Sequence, residues 1–440
     1  MLVHFIGIGG IGNSGLAKYL ICKGFLVSGS DAYYGAQVKE LESLGAKICK
    51  NNESEMIEKC DIVVISSAIK SDNESLVLAK KLKKPIYKRS QLLKIITACF
   101  ETVIGIAGSH GKTTATAMLT SILHSAGLNF TSFIGGNDNK FGNFYYKQNS
   151  KIVVSEVCEY DKNIYDFNAN IGVVLNVDND HLDTYNNIEN LQKAFFDYLD
   201  RAKTKIICAD NAILSSYKGQ KITYGIEKQA NYNAINLHEK SGKYSFDVCF
   251  NGKKTFKVNL SVYGLHNVYN ALSVIAVCKE LKIKNNHITQ GLKNFEGVGR
   301  RFEILGKVGE VKFIADYCHH PTEIACTLQT LKQLYKGDYL IVFEPHTYSR
   351  TKLLFSDFLT VFNGENPIIF KTFSAREKYN YLGSGANLAK NIKGAKYVKT
   401  VKKLFEFISK TNVSNVVVLG AGNLYFEVKK ALKTGKISKK

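Results

Sequence analysis

The stretch IGIAGSHGKTTATAML, residues 104–119, decides the fold. A short apolar run ends in glycines, a lysine and two threonines, and helix-like sequence follows. In such a turn backbone N–H groups wrap phosphates, the lysine balances β- and γ-phosphate charge, and a threonine hydroxyl coordinates Mg²⁺. The sequence therefore predicts a strand, a phosphate-binding loop and a helix. The loop has the shortened form G-x-x-G-K-T, because Ile106 stands where the full motif has its first glycine.

A second glycine-rich turn, HFIGIGGIGNSGLA at residues 4–17, opens the chain. Gly7-x-Gly9-x-x-Gly12 stands between a predicted strand and a predicted helix, where glycine lets a pyrophosphate approach the helix N-terminus. Asp31 ends the next predicted strand, where a carboxylate can accept hydrogen bonds from ribose hydroxyls. Taken alone, this motif suggests a nicotinamide-dependent dehydrogenase, but any nucleoside diphosphate presents the same pyrophosphate.

Three sections of alternating strand-like and helix-like segments predict an α/β protein of three domains. Residues 1–97 are predicted to form a Rossmann-like parallel sheet, 98–298 a central ATPase-type α/β domain with the phosphate loop, and 299–440 a second Rossmann-like domain. In the central section, Asn251-Gly252 predicts a type I′ hairpin turn.

Composition limits the classes of protein to consider. The 440 residues carry a formal net charge of +21 and ten cysteines without a C-x-x-C pair, which indicates reduced thiols in a cytoplasm. No apolar run is long enough to span a membrane. Because the lysines are spread along the whole chain, their excess is attributed mainly to compositional bias, and the attraction of anionic substrates is the alternative explanation. A phosphate-loop protein that binds nucleic acid remains a rival interpretation, and it predicts salt-dependent binding.

Two further side chains follow predicted strands near the phosphate loop. Glu156 ends the run KIVVSE, where a carboxylate can face a metal beside the γ-phosphate. His181, in NVDNDHLDTY, follows the next apolar run. The carboxyl ends of parallel strands form the edge where α/β proteins bind ligands.

Taken in order, these motifs resemble the Mur ligase family, the ATP-dependent amide-forming enzymes of peptidoglycan assembly. HFIGIGGIGNSGLA and SSAI resemble the family's nucleotide-sugar domain, and GSHGKTT, NVDNDHLDTY and GLHNVYNALS resemble its ATPase domain. GRRFEILG, ADYCHHPTEI, EPHTYSRT and LGAGN resemble its C-terminal domain. HHPTEI together with the GIGGIG start resembles the member that adds alanine.

The resemblance implies a cytoplasmic ligase of cell-wall biogenesis, on which cell shape and division depend. It would use ATP and Mg²⁺ to join L-alanine to the lactyl carboxylate of UDP-N-acetylmuramate through an acyl phosphate. The expected partners are these small molecules, without nucleic acid or a membrane span, and the chain is expected to be a monomer or a weak homodimer. Family members that add glutamate or recycle murein tripeptide remain alternatives.

The resemblance also implies site residues, by role. The catalytic residues would be Lys112, Glu156, His181 and Arg301, with Arg300 as the rival of Arg301. The Mg²⁺ ligands would be Thr113, Glu156 and His181. ATP would contact Gly108, Ser109, His110, Gly111, Lys112, Thr113, Thr114, Asn267, Asn270, Arg301, Asp316 and Tyr317. The nucleotide sugar or the amino acid would contact Gly9, Gly10, Ile11, Gly12, Asp31, Ser67, Arg89, His181, His319, His346 and Arg350.

The sequence departs from the family pattern at a few positions. Asn13 replaces an apolar residue, Cys158 an aspartate, and Ala315 and Cys318 alter DDYGHH to ADYCHH. Thr347 stands where many members have arginine, which puts one contact to the amino acid or a phosphate in doubt. The charged groups assigned to chemistry remain, so an active enzyme is expected.

Overall fold

The computed structural model describes residues 1–49, 53–180 and 182–434. His181, predicted at the metal site, lies outside the described residues. Within the described residues, sheets of five, ten and six strands follow one another along the chain, with helices between strands, so the predicted three-domain α/β architecture is confirmed. No helix in the described part of the chain is long and apolar enough to cross a bilayer.

The chain divides into two compact units. Unit 1 comprises Met1–His238, Ser245–Val262 and Asn267–Gly297. Unit 2 comprises Glu239–Tyr244, Tyr263–His266 and the chain from Val298 onward. The first two predicted domains thus fall mainly in unit 1 and the third in unit 2, while the predicted domain boundaries stay predictions.

The first sheet is parallel, with strand order β3-β2-β1-β4-β5. Its strands are β1 (Leu2–Ile6), β2 (Leu26–Ser30), β3 (Lys47–Ile48), β4 (Ile62–Ile65) and β5 (Ile86–Lys88). Its helices are α1 (Ile11–Cys22), α2 (Ala36–Ser43), α3 (Glu53–Lys59), α4 (Glu74–Lys81) and α5 (Arg89–Thr97). The strand order reverses between β1 and β4, and such a reversal opens a crevice at the carboxyl ends of the strands. The first glycine turn joins β1 to α1 there.

The second sheet has the order β15-β14-β13-β12-β11-β10-β6-β9-β7-β8. Its strands are β6 (Thr102–Ala107), β7 (Phe130–Asp138), β8 (Gly142–Tyr146), β9 (Ile152–Glu156), β10 (Ile171–Val174), β11 (Thr204–Cys208), β12 (Ile222–Gly225), β13 (Tyr232–Lys240), β14 (Lys243–Phe250) and β15 (Lys253–Tyr263). Its helices are α6 (Lys112–Ser125), α7 (Leu182–Tyr185), α8 (Ile188–Arg201), α9 (Ala212–Ser215), α10 (His266–Glu280) and α11 (Asn285–Lys293), with a 3₁₀ segment at Tyr160–Asp166.

Strand β6 lies in the middle of this sheet, parallel to β9 and β10 on its two sides. It is apolar and almost wholly buried, as its sequence requires. At the far side of the sheet, Asn251 has φ +47° and Gly252 has φ +81°. Positive φ at both central residues is the signature of a type I′ turn, so the predicted hairpin is confirmed.

The third sheet has the order β16-β17-β21-β18-β19-β20, with β16 antiparallel to β17 and the remaining pairs parallel. Its strands are β16 (Glu303–Val308), β17 (Val311–Asp316), β18 (Leu340–Phe343), β19 (Ile368–Phe370), β20 (Lys396–Val398) and β21 (Asn415–Leu419). Its helices are α12 (Pro321–Tyr335), α13 (Tyr348–Leu353), α14 (Phe355–Val361), α15 (Gly385–Asn391), α16 (Val401–Ile408) and α17 (Leu424–Lys433), with a 3₁₀ turn at Tyr381–Gly383. Because β21 separates β17 from β18, the loops after these strands meet at one edge.

Candidate active site

The loop between β6 and α6 depends on two glycines. Gly108 has φ +137° and Gly111 has φ +86°, conformations that side chains with a Cβ rarely adopt. A Cβ on Gly108 would lie 3.0 Å from Leu175 Cβ, and one on Gly111 would lie 2.5 Å from Asn270 Oδ1. The loop therefore has no space for larger residues. Because α6 begins directly afterwards, its first backbone N–H groups are available to an anion.

Lys112 is the first residue of α6, and its ammonium group is fully engaged. It donates to the carbonyl oxygens of Gly108 and Ser109, the latter at 3.0 Å, and to Glu159 Oε1 at 2.9 Å. The Glu159 side chain is only 1% exposed. Burial is the largest single influence and disfavours the charged lysine, but the interactions with Glu159, Cys158 and Glu156 together outweigh it and raise the Lys112 pKa. The loop thus holds a charged lysine against an internal carboxylate.

The segment that follows β10 clamps the same loop. The His110 backbone N–H donates to Asn176 Oδ1 at 2.8 Å, and Asn176 Nδ2 donates to the His110 carbonyl at 3.0 Å. His110 Nε2 lies 2.9 Å from Asp178 Oδ2, and the Asp178 backbone N–H donates to Ser109 Oγ at 3.0 Å. These hydrogen bonds hold the loop in the unliganded protein, and such preorganisation favours phosphate binding.

Glu156, the last residue of β9, faces the same edge of the sheet. It is paired in register with Ile106, two residues before Gly108. Its Oε1 accepts a hydrogen bond from the Gly135 backbone N–H, and a Cβ on Gly135 would lie 2.4 Å from Glu156 Oε2. Thr113 lies in the first turn of α6 and is partly exposed. A hydroxyl and a carboxylate are the oxygen ligands that Mg²⁺ prefers, so these residues fit the predicted metal.

Asn267 and Asn270 lie in the first turns of α10, and each is 6% exposed. Asn270 Nδ2 donates to Asn267 Oδ1 at 3.0 Å, as expected for residues three apart on a helix. Asn270 Oδ1 lies directly beside Gly111, so this pair of asparagines adjoins the phosphate loop. The predicted ATP contacts Asn267 and Asn270 therefore lie next to Gly111, which is also a predicted ATP contact.

The first glycine turn is held by polar side chains of its own domain. Gly7 has φ +82°. The Gly9 backbone N–H donates to Asp31 Oδ2 at 2.8 Å, and Asp31 Oδ1 accepts from the Tyr33 backbone N–H at 2.9 Å. Asn13, which is 2% exposed, donates from Nδ2 to the Gly7 carbonyl at 3.0 Å. Asn13 thus braces the turn, and Asp31 keeps lone pairs for a ligand hydroxyl.

The other residues predicted to bind the nucleotide sugar lie around this turn. Gly10 is the N-cap of α1 and Ile11 is its first residue. Ser67 is the second residue after β4 and is exposed. Arg89 begins α5, and its side chain covers Gly12, where a Cβ would lie 2.8 Å from Arg89 Cδ. The structure therefore brings these residues together at the carboxyl edge of the first sheet.

In unit 2, Asp316 ends β17 and is 9% exposed. Burial raises the pKa of Asp316 to about 6, although Arg301 opposes the shift. Arg301 Nη1 lies 3.4 Å from Glu323 Oε1. Arg300 instead donates from Nη2 to the carbonyls of Gly420 and Gly422, at 3.1 and 3.2 Å. Arg300 therefore braces the LGAGN turn, which favours Arg301 for the predicted ligand contact.

Aromatic and imidazole side chains lie in a row at the edge of unit 2 where β17 ends. The ring centroids of Tyr317 and His319 are 5.5 Å apart, those of His319 and His346 5.6 Å, and those of His346 and Phe373 5.4 Å. Arg350 Nη1 lies 3.1 Å from His346 Nδ1. The predicted residues of this domain thus form one continuous surface, and Phe373, which the sequence analysis missed, closes it.

The loop before α13 contains Thr347, one of the departures from the family pattern. Thr347 has φ +66°, and its Oγ1 accepts from the Arg350 backbone N–H at 3.4 Å. Glu377 accepts hydrogen bonds from the backbone N–H groups of Tyr348 and Ser349, at 2.6 and 2.9 Å. Glu377 therefore fixes the start of the helix that carries Arg350.

Several partners of the site were not predicted. Glu159, Asn176 and Asp178 hold the phosphate loop, and each follows a strand whose end was already assigned to the site. A signal was available, because polar residues crowd the segments directly after β9 and β10. Glu377 and Phe373 lie in a loop after β19 that carries no motif, so the sequence offered no such signal for them.

Comparisons with known proteins cover the whole length of the chain. The Mur ligase family, catalytic domain, matches residues 2–101; the Mur ligase middle domain matches 106–278; and the Mur ligase, glutamate ligase domain, matches 300–424. The UDP-N-acetylmuramate–L-alanine ligase of Caldanaerobacter subterraneus subsp. tengcongensis is 36% identical, over 99% of this chain and 98% of that protein. The Clostridium kluyveri protein of the same name is 38% identical, over 96% of each.

Solved structures agree with this similarity. The UDP-N-acetylmuramate–alanine ligase of Thermotoga maritima superimposes with a TM-score of 0.84 at 26% identity, covering 100% of both chains. A murein peptide ligase of Psychrobacter arcticus shares the fold, with a TM-score of 0.76 at 23% identity over 100% of both chains.

Proposed function

This chain belongs to the Mur ligase family, and from that premise we propose that it is the member that joins L-alanine to UDP-N-acetylmuramate. The reaction consumes ATP and yields ADP, phosphate and UDP-N-acetylmuramoyl-L-alanine, a step of peptidoglycan synthesis. The observation that carries the proposal is the near-complete coverage by relatives named for this activity, at 36% and 38% identity. The two glycine turns in unit 1 supply its physical basis.

The two turns correspond to the two anionic substrates of such a reaction. A carboxylate is a poor acyl donor, because its oxide is a poor leaving group, and phosphorylation supplies a good one. The lactyl carboxylate oxygen attacks the γ-phosphorus of ATP, and ADP departs. The amine of L-alanine then attacks the acyl carbon, and phosphate leaves with the carboxylate oxygen. The first turn holds the UDP diphosphate, and the loop at Gly108–Gly111 holds the triphosphate.

The side chains around the phosphate loop have different roles in this reaction. Lys112 balances charge on the β- and γ-phosphates, and the loop's N–H groups orient them. Thr113 and Glu156 would hold Mg²⁺ together with His181. The metal, when bound, supplies positive charge that lets a carboxylate approach a phosphate. Asn267 and Asn270 lie beside the loop to contact the nucleotide.

The edge of unit 2 would bind the remaining groups. Arg301, Asp316 and Tyr317 are assigned to ATP, and His319, His346 and Arg350 to the amino acid. The planar fork of Arg350 suits the carboxylate of L-alanine. Thr347 replaces an arginine of many members, so Arg350 would carry more of this recognition here.

A phosphate-release assay tests the proposal. With ATP, Mg²⁺ and UDP-N-acetylmuramate present, release should be slow until L-alanine is added and should then rise in proportion to ligated product. Stimulation by murein tripeptide, and none by L-alanine, would instead identify the recycling ligase. Reduction of NAD without phosphate release would identify the dehydrogenase suggested by the first turn alone.

A further inference from the structure

The side chain of Arg89 lies against the first glycine turn. A Cβ on Gly12 would lie 2.8 Å from Arg89 Cδ and 3.3 Å from both Nε and Nη1. The third glycine of the motif is therefore needed so that a guanidinium can lie on the first turn of α1. That helix start is where a diphosphate binds.

The same side chain reaches the ATP-binding domain. Arg89 lines a small cavity together with Glu156, Cys158 and Asn163, which belong to β9 and the segment after it. Glu156 is the carboxylate proposed to hold Mg²⁺. Arg89 therefore extends from the nucleotide-sugar turn to the place where the γ-phosphate would lie.

The neighbours of Arg89 anchor it between the two domains. Lys88 Nζ lies 3.1 Å from Asp161 Oδ2, and Ser90 Oγ donates to Asp166 Oδ2 at 2.6 Å. The start of α5 is thus bound on both sides of Arg89 to the 3₁₀ segment that follows Glu156. This arrangement fixes where the Arg89 backbone stands relative to Glu156.

Unlike its neighbours, the Arg89 guanidinium has no hydrogen bond or ion pair within residues 1–49, 53–180 and 182–434. It is nevertheless half-buried. A guanidinium has five N–H donors, and leaving them unmatched away from water costs free energy. By contrast, Lys112 is satisfied by Glu159 and two carbonyls. An unmatched cation in a cleft between two phosphate sites is suited to a ligand anion.

We propose that Arg89 is a catalytic residue that contacts the substrate carboxylate and the transferred phosphoryl group together. This inference rests on the function proposed above and assigns Arg89 a part beyond holding the nucleotide sugar. In the step concerned, a carboxylate oxygen forms a bond to the γ-phosphorus while the bond from that phosphorus to the β–γ bridging oxygen breaks. The electron pair leaves with ADP. The planar guanidinium spans both anions and neutralises their repulsion as they meet.

The experiment separates this role from simple binding of the diphosphate. The variants Arg89→Met, Arg89→Lys and Arg89→Ala are assayed for phosphate release at saturating ATP, UDP-N-acetylmuramate and L-alanine. Calorimetry measures the UDP-N-acetylmuramate Kd for each. Lys94→Met is the matched control, because Lys94 is an exposed cation in the last turn of the same helix.

We expect kcat of Arg89→Met to fall about 100-fold, the size typical of a lost transition-state donor. Guanidinium ion should partly restore kcat of Arg89→Ala, and Lys94→Met should keep the wild-type value. A kcat within threefold of wild type, with only KM raised, overturns the proposal and leaves a diphosphate contact. A lower kcat that guanidinium does not restore, accompanied by a lower melting temperature, overturns it as well. Failure of the wild-type protein to release phosphate would contradict the proposed function itself.

Discussion

The two glycine turns of unit 1 each join a strand to a helix, but they differ in charge. The turn at Gly7–Gly12 carries no cation of its own, and its Gly9 N–H donates to Asp31 at 2.8 Å. The loop at Gly108–Gly111 ends in Lys112, which is held by Glu159 at 2.9 Å. Each turn is thus held by a carboxylate. Asp31 accepts a hydrogen bond from the backbone of the first turn, and Glu159 pairs with the lysine of the second.

This difference matches the proposed reaction, in which the diphosphate of the sugar is only bound whereas the γ-phosphoryl group of ATP is transferred. A turn that only holds a diphosphate can use backbone N–H groups and a helix terminus, because the bound charge does not change. A loop from which a phosphoryl group departs needs a side-chain cation that moves with the charge. Glu159 keeps that cation in place until ATP arrives.

Removing the lysine should have the largest effect. We expect Lys112→Ala to lower kcat about 1,000-fold, since no other lysine contacts the phosphate loop in the described part of the chain. The measurement is phosphate release at saturating substrates. Lys151→Ala is the control, because Lys151 forms an exposed ion pair 2.9 Å from Glu101. A Lys112→Ala enzyme with most of its activity would refute the assignment of the loop.

Removing the charge of Glu159 should reduce stability and not only activity. Glu159→Gln leaves the buried ammonium of Lys112 without a counter-charge, which costs about 3 kcal/mol of unfolding free energy. ATP should restore most of this loss, because its phosphates replace the missing negative charge. Denaturant unfolding with and without ATP measures both effects.

The Lys151–Glu101 ion pair again provides a matched control. Its N–O distance is the same 2.9 Å, but its side chains are 72% and 67% exposed. Glu101→Gln should leave unfolding unchanged, because exposed pairs contribute little. Equal losses in both variants, or no gain on adding ATP, would mean that Glu159 does not act as the lysine's counter-ion.

A methyl group on the first turn should affect ligand binding alone. Gly10 has φ −62°, and a Cβ there would lie 3.6 Å from the Gly7 carbonyl, so alanine fits the unliganded fold. Gly10→Ala should raise KM for UDP-N-acetylmuramate about tenfold, because the methyl stands where the diphosphate approaches. The melting temperature should not change. Gly15→Ala, further along α1, should leave KM unaltered, and a similar KM in both variants would place the diphosphate elsewhere.

The smallest effect is expected at Asp31. Asp31→Asn replaces one acceptor oxygen by an amide that cannot accept from the Gly9 or Tyr33 N–H, at a cost of about 1 kcal/mol. Urea unfolding measures this loss, and kcat should stay near the wild-type value. A large fall in kcat with unchanged stability would show that the first turn takes part in the chemistry, against the division drawn here.

Sequence reasoning was strongest where the structure is local. The strand, loop and helix around each glycine turn were predicted, because the need for glycine follows from the backbone of a few consecutive residues. The Asn251-Gly252 turn was predicted for the same reason. Burial explains the departure from the family pattern at Cys318, since this side chain is 1% exposed and packs in the apolar core of unit 2.

The partners of the site were predicted poorly, because they depend on packing between distant segments. Nothing in the sequence indicates that Glu159 pairs with Lys112, or that Arg89 covers Gly12. The resemblance named Arg89 and Asp31 as substrate contacts without stating what each does in the unliganded protein. The structure adds that Asp31 is engaged by the backbone whereas Arg89 is not.

Isotope transfer would show whether a carboxylate oxygen of the sugar attacks the γ-phosphorus of ATP. UDP-N-acetylmuramate labelled with ¹⁸O in its lactyl carboxylate is turned over with ATP and L-alanine, and the released phosphate is analysed by mass spectrometry. We expect one ¹⁸O atom in each released phosphate, because the acyl carbon–oxygen bond breaks when alanine attacks. Phosphate free of ¹⁸O would mean that the carboxylate is not phosphorylated on the way to the product.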